Sequence, residues 1–234
     1  MTANRLCILY PLLAPLACSA PVAVGYEAET SPAERDRLHR QLERPPSIDP
    51  VELTSTTITG TLPAPIDFVR DWFVPFPLDR AIPGTEEIPG VDRTELLTQA
   101  WGSPGDRRRV VLKDGGTALE EVVINEMPRR FRYVVWNYNA DAARYIRFGV
   151  GEWQFTEQGD QTAVTWTYGF QPRGWPASWL LPSFVDGDYR EFMESCLQAI
   201  IRGALEDFGE QQFGAFHGAQ NTGEDDKVGL APEK

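Results

Sequence analysis

Between residues 91 and 172 the chain reads as a succession of short β-branched and aromatic runs broken only by turn residues. It then changes period once, at Asp188, to a single long amphipathic stripe. The runs are "VDRTELLTQAW", "RRRVVLKDGG", "TALEEVVINEMP", "FRYVVWNYN", "YIRFGVGEWQFTEQGD" and "QTAVTWTYGFQP". They follow one another too closely to hold crossover helices, so neighbouring strands must pair antiparallel. After them, "DGDYREFMESCLQAIIRGALEDFG" begins with Asp188 as a cap and Glu191 three residues on. It places Tyr189, Phe192, Met193, Cys196, Leu197, Ile200, Ile201, Ala204, Leu205 and Phe208 on one side of a helix. A helix with one apolar stripe must bury it, leaving Arg190, Glu194, Gln198 and Arg202 in water. Upstream, "TSTTITGTL" (54–62) alternates as a strand and "PAPIDFVRDWF" (63–73) has helical spacing, followed by the loop "FPLDRAIPGTEEIPG". The expected architecture is α+β: a curved antiparallel sheet of roughly seven strands wrapped around a long C-terminal helix, with a short helix after the first strand.

The hairpin at 151–170 carries the clearest face assignment. Ala163, Thr165 and Thr167 alternate with Val164, Trp166 and Tyr168, so the small polar set faces out and the aromatic set, with Trp153, Phe155 and Phe170, faces the helix. In "YVVWN" either Tyr133, Val135 and Asn137 or the nearly as apolar Val134, Trp136 and Tyr138 continue this wall, and alternation does not choose between them. Gly149 and Gly151 lie inside a strand and open no helix, which points to sheet bending or close approach of the helix. The link "GFQPRGWPASWLLPSFVDG" is too apolar for a solvated loop; a lid, a membrane-contacting patch and packing against the sheet edge are all open readings.

Composition removes several chemistries. The 34 Asp+Glu against 22 Lys+Arg give a formal charge of −12, which argues against a nucleic-acid partner. Arg107, Arg108, Arg109, Arg129, Arg130 and Arg132 form the local basic concentration, read as solvated arginines along adjacent strands in preference to an anion site. The two histidines, His39 and His217, lie outside the strand region, and no metal-ligand spacing occurs, so no metal or cofactor is implied. If there is catalysis, carboxylates and tyrosines must carry it. Glu120 and Glu121 are adjacent, so alternation sends one inward, where an apolar setting would suit a general acid or base; both near the strand rim, or one paired with Arg109 of a neighbouring strand, is the plainer reading. Arg147 shares parity with Gly149, Gly151 and Trp153, which aims it at a cavity mouth as an anchor for an anionic head group, or at a loop carboxylate.

The ends differ in kind. Residues 1–25 include "LCILYPLLAPLACSAPVAV", without a charge, and read as an export signal. Cleavage near "AVG" or lipidation at Cys18 after "PLAC" are both open, so the chain is expected to be exported, periplasmic or secreted, with an anchored lipoprotein as the variant. Cys7 and Cys18 fall in this leader, which leaves Cys196 alone in the domain, a buried thiol on the helix stripe. Residues 26–53 read as a polar spacer holding a short helix behind Ser31 and Pro32, residues 54–210 as the domain, and 211–234 as a disordered tail.

The order of elements, with "RRRVVLKDGGTALEEVV", "FRYVVW", "GEWQFTEQGDQTAVTWTYGFQP" and "FMESCLQAIIRGALED", resembles the SRPBCC superfamily, the START-like or helix-grip proteins that include polyketide cyclase/dehydrase-like and lipid-transfer domains. The resemblance implies a cavity between sheet and helix that holds a hydrophobic small molecule such as a lipid, isoprenoid or aromatic metabolite. The residues placed to line it are Tyr133, Val135, Arg147, Trp153, Trp166, Tyr168, Met193, Leu197 and Ile200. The implied function is binding or transport, with peripheral membrane contact or a lipid anchor at Cys18 as accompanying features. The alternatives are a cyclase or dehydratase using Glu120 or Glu121 with a tyrosine, and a non-catalytic envelope assembly partner.

Overall fold

The computed structural model describes residues 31–139 and 144–221. The chain divides into two compact units, residues 1–38 and 39–234. Helix α1 (Pro32–Gln41) begins in the first unit, behind Ser31, whose hydroxyl accepts the Glu34 N–H at 3.3 Å, and its last three residues belong to the second. The expected cap is therefore in place. The export signal and Cys18 lie outside the described residues.

The second unit is built on β1 (Thr54–Leu62), β2 (Val91–Leu96), β3 (Arg107–Leu112), β4 (Thr117–Glu126), β5 (Arg130–Trp136), β6 (Ile146–Gln158) and β7 (Gln161–Pro172). They form one antiparallel sheet in the order β1-β7-β6-β5-β4-β3-β2. Six strands run as the meander the turn residues dictate, and β1 closes the other edge against β7. Helix α2 (Ile66–Trp72) follows β1; α3 (Leu78–Ala81) occupies the stretch expected to be loop. The apolar link after β7 is not a loop either: it forms α4 (Ala177–Asp186), which buries Ala177, Leu181 and Val185. The C-terminal helix α5 (Asp188–Asn221) lays Tyr189, Phe192, Met193, Cys196, Leu197, Ile200 and Ala204 into the main core and keeps Arg190, Glu194, Gln198 and Arg202 exposed. It runs past Gly209 into the stretch expected to be a disordered tail.

Both faces of the sheet are covered. The inner face meets α2 and α5. On the outer face Leu97, Leu119, Val134, Trp136, Phe148 and Val150 form a second core, with Ile48 and Leu53 packed on it. Residues 39–53, expected to be a solvated spacer, are thus a strap across the sheet. Arg107 holds it, donating to the carbonyls of Arg40 at 3.0 Å and Leu42 at 2.7 Å. A short 3-10 turn (Pro50–Glu52) comes so close to Gly169 that a Cβ there would lie 2.4 Å from the Pro50 carbonyl oxygen.

Candidate functional site

The inner face is an aromatic wall. In the register of β6 and β7, Trp153 stands opposite Trp166 and Phe155 opposite Val164. The two indoles stack with centroids 4.3 Å apart and planes at 13°. At the hairpin end, Phe73 from the last turn of α2 meets Trp153 edge-on at 5.0 Å and Phe155 at 4.8 Å. At the other end, Tyr189 from α5 packs on Tyr168 at 5.2 Å and on Phe170 at 4.6 Å. Trp153, Trp166, Tyr168, Met193, Leu197 and Ile200 are all buried between sheet and helix.

Strand β5 contributes Phe131, Tyr133 and Val135 to this side, and Val134 and Trp136 to the outer core. Alternation could not choose because the strap makes both faces apolar. Asn137 has φ +55°, in the left-handed region, which interrupts the alternation and lets Tyr138 pack on the same side as Tyr133.

The glycines of β6 are seats for these rings. A Cβ at Gly151 would lie 2.3 Å from Cζ of Tyr133, its cross-strand partner, and one at Gly149 2.6 Å from the Tyr168 hydroxyl. Close approach by α5 falls at Gly60 on β1, where a Cβ would lie 2.9 Å from Leu197 Cδ2. Both β6 glycines therefore make room for tyrosines.

Those tyrosines form a group. Tyr133 and Tyr168 are 6.2 Å apart between ring centroids, and the hydroxyls of Tyr138 and Tyr189 lie near that of Tyr168. Burial raises the phenol pKa of all four well above the usual value, since an enclosed phenolate would forgo hydration. The same cause pushes the Cys196 thiol up to about 12. Trp166 Nε1 and the Tyr138 hydroxyl are buried without a hydrogen-bond partner, although each lies near enough to a phenol, Tyr133 and Tyr168 respectively, to influence its ionisation. Orphaned buried donors of this kind are uncommon.

Charge enters the inner face of the sheet through Glu120 and Arg108. Glu120, 5% exposed, shares parity with Ala118 and Val122 and accepts from Arg108 Nε at 2.5 Å. The Arg108 guanidinium lies 3.7 Å from the Trp101 ring centroid. Glu121 points to the outer face, where Arg107 at 2.5 Å and Arg44 at 2.7 Å both bond to it. Most of the arginine concentration is consequently ion-paired rather than solvated: Arg109 pairs with Glu95, Arg132 with Glu152 and Asp49, and the half-exposed Arg130 with Glu126, while Arg129 is exposed as expected. His39 is buried within this outer network, 3.1 Å from Arg109.

Arg147 does not face the interior. A register shift between Ile146 and Phe148 breaks the parity that linked it to Gly149, and it is exposed, lining an outer cleft with Glu43, Arg44, Phe148 and Arg173. A second surface cleft lies between α2 and α5, around Phe68, Trp72 and Asp207. Neither is lined by the tyrosine group. Among the described residues no cluster of three or more His, Cys, Asp or Glu side chains could hold a metal ion.

A family model described as polyketide cyclase/dehydrase and lipid transport matches residues 54–200, from the first residue of β1 into α5. The chain belongs to this family. No curated protein matches it. Among solved structures, Ara h 8.0201 is 16% identical with a TM-score of 0.50, over 65% of this chain and 97% of that one. A conserved protein from Geobacillus kaustophilus is 16% identical with a TM-score of 0.51, over 65% and 95%. A START superfamily protein from Mycobacterium smegmatis is 10% identical with a TM-score of 0.48, over 64% and 97%. At these identities the first two likenesses establish the helix-grip fold.

Within this polyketide cyclase/dehydrase and lipid transport family member, the wall is a packed apolar face that sets phenol and indole groups among rings, with the Arg108–Glu120 ion pair at its edge. Such a set can hold an apolar molecule by its rings and orient a polar group on it. Proton transfer by Glu120 would first have to free it from Arg108.

Proposed function

We propose that the chain binds and carries a hydrophobic small molecule with at least one hydrogen-bond acceptor, seated between β5–β7 and α5. The observation that carries this reading is the pair of buried, unpartnered donors, Trp166 Nε1 and the Tyr138 hydroxyl, set in a wall of rings. An unmet buried donor costs about 1–3 kcal/mol, which an acceptor on a ligand would recover. The lipid-transport half of the family description supports the same class of ligand. The uncharged run at 6–24 supports export of the chain, with transport taking place outside the cytoplasm.

Native mass spectrometry and solvent extraction of protein purified from its own host test the reading. The expected result is a co-purifying apolar molecule released on unfolding. Empty protein whose tryptophan fluorescence ignores a panel of fatty acids, isoprenoids and aromatic metabolites would overturn it. Fractionation of the same cells tests export.

A further inference from the structure

We propose that α4 and the arginine cleft beside it form a docking surface for a bilayer containing anionic phospholipids. Trp175, at the turn before α4, is 88% exposed, and Trp179, in its first turn, is 76% exposed. Water contact on this scale is unfavourable for indoles, and at a membrane interface they are the favoured side chains. They are not loose: the opposite side of α4 is anchored through Ala177, Leu181 and Val185, so presenting them costs little further ordering.

The charge beside them has the matching sign. Arg173 precedes Trp175 by two residues, within about 7 Å of chain. Its backbone N–H and Nε are tied to the carbonyls of Tyr145 and Ile146, and no carboxylate pairs with it among the described residues. Arg147, which lines the same cleft, is exposed, and among the described residues no carboxylate pairs with it either. Together with Arg44, which bonds to Glu121, they line a cleft of about 340 Å³ that, among the described residues, Glu43 alone lines with a carboxylate. A chain of net charge −12 is repelled as a whole by an anionic surface. Screening within about 8 Å at physiological salt, however, makes the nearest charges decide. A lipid phosphate on Arg173 would hold Trp175, two residues along the chain, within reach of the headgroups. From the same helix Phe184 reaches Tyr189, 5.9 Å away between ring centroids, so the docked element borders the aromatic interior. The docking itself does not depend on what that interior binds.

The test is co-sedimentation of the full chain, carrying Cys18→Ser so that no acyl anchor contributes, with vesicles of phosphatidylcholine alone or mixed equally with phosphatidylglycerol. The protein should pellet with mixed vesicles, weakly with neutral ones, and less as salt is raised. Arg147→Gln with Arg173→Gln should lower affinity for mixed vesicles by about tenfold or more and leave neutral-vesicle binding unchanged. Trp175→Ser with Trp179→Ser should lower both, at an unchanged thermal midpoint. Failure of the parent chain to bind mixed vesicles, or binding by both double variants at parental affinity, would overturn the proposal.

Discussion

The ring of Tyr133 fills the space that a side chain on Gly151 would need, and the two residues face each other directly across β5 and β6. A Cβ 2.3 Å from Cζ cannot be accommodated by a small shift, because the ring is held by Phe131 and Tyr168 on either side. Gly151→Ala should therefore destabilise the fold by about 1–3 kcal/mol, the usual cost of overpacking. Adding Tyr133→Ala should recover part of that loss, a coupling that a double-mutant cycle in denaturant unfolding would detect. Strictly additive losses would contradict the contact.

The inner ion pair makes a second case. Arg108→Ala leaves Glu120 buried and uncompensated, so the loss should reach about 3–5 kcal/mol. Replacing both with methionine removes the stranded charge and should cost much less, despite losing the guanidinium over Trp101. Equal losses for the single and double variants in denaturant unfolding would mean that the charge is not buried in the way described.

The strap across the outer sheet depends on Arg107, whose Nε bonds to Glu121 while its terminal nitrogen reaches the carbonyls of Arg40 and Leu42. Arg107→Ala should lower stability by about 2 kcal/mol, the scale of hydrogen bonds to a charged group. It should also make residues 39–53 the first site of proteolytic cleavage. Mass spectrometry of limited digests checks this; unchanged cleavage kinetics in that segment would show that the strap is held elsewhere.

This pairing pattern was partly legible. Counting outward from a two-residue turn at Asp114 and Gly115 would set Arg109 opposite Glu120; the three-residue turn centred on Asp114 moves the register by one, so Arg108 meets Glu120 and Arg107 meets Glu121. The hairpin wall and the α5 stripe follow from period alone, because each has one apolar face. Three features were hidden for physical reasons. The strap's few apolar residues, Ile48 and Leu53, are too sparse to announce a second core, yet that core is what makes both sides of "YVVW" apolar. The shift beside Arg147 is a backbone irregularity that alternation assumes away. And the seats at Gly149 and Gly151 depend on rings from neighbouring strands, which no local pattern contains.

Alkaline pH should unfold the domain cooperatively. Tyr133, Tyr138, Tyr168 and Tyr189 have raised pKa values when folded, so the native state prefers their neutral forms. Unfolded phenols titrate near 10, so this stabilisation is complete below about pH 10 and is lost as pH rises through the higher folded values. Cys196 follows the same sign, held at about 12 against an unfolded value near 8.5. Phenolate absorbance from these four should appear together with the loss of native circular dichroism, and Cys196 should meet thiol reagents only then. Reversible ionisation of the four near pH 10 with native dichroism intact would contradict their burial.

The orphaned donors separate a ligand role from a packing role. Trp166→Phe deletes an N–H that has no partner, which favours stability, but shrinks a ring stacked 4.3 Å from Trp153, which opposes it. The net change should stay within about 1 kcal/mol, because these effects are of similar size and opposite sign. Tyr138→Phe removes a hydroxyl that has no partner and should be similarly mild. A ligand acceptor bonded to either donor would lose about 0.5–1.5 kcal/mol, a roughly two- to tenfold weakening in calorimetric titration with the extracted molecule. Variants that keep both stability and affinity would show that these two groups do not touch the bound molecule, and would move the polar end of the site toward Tyr133 and Tyr189.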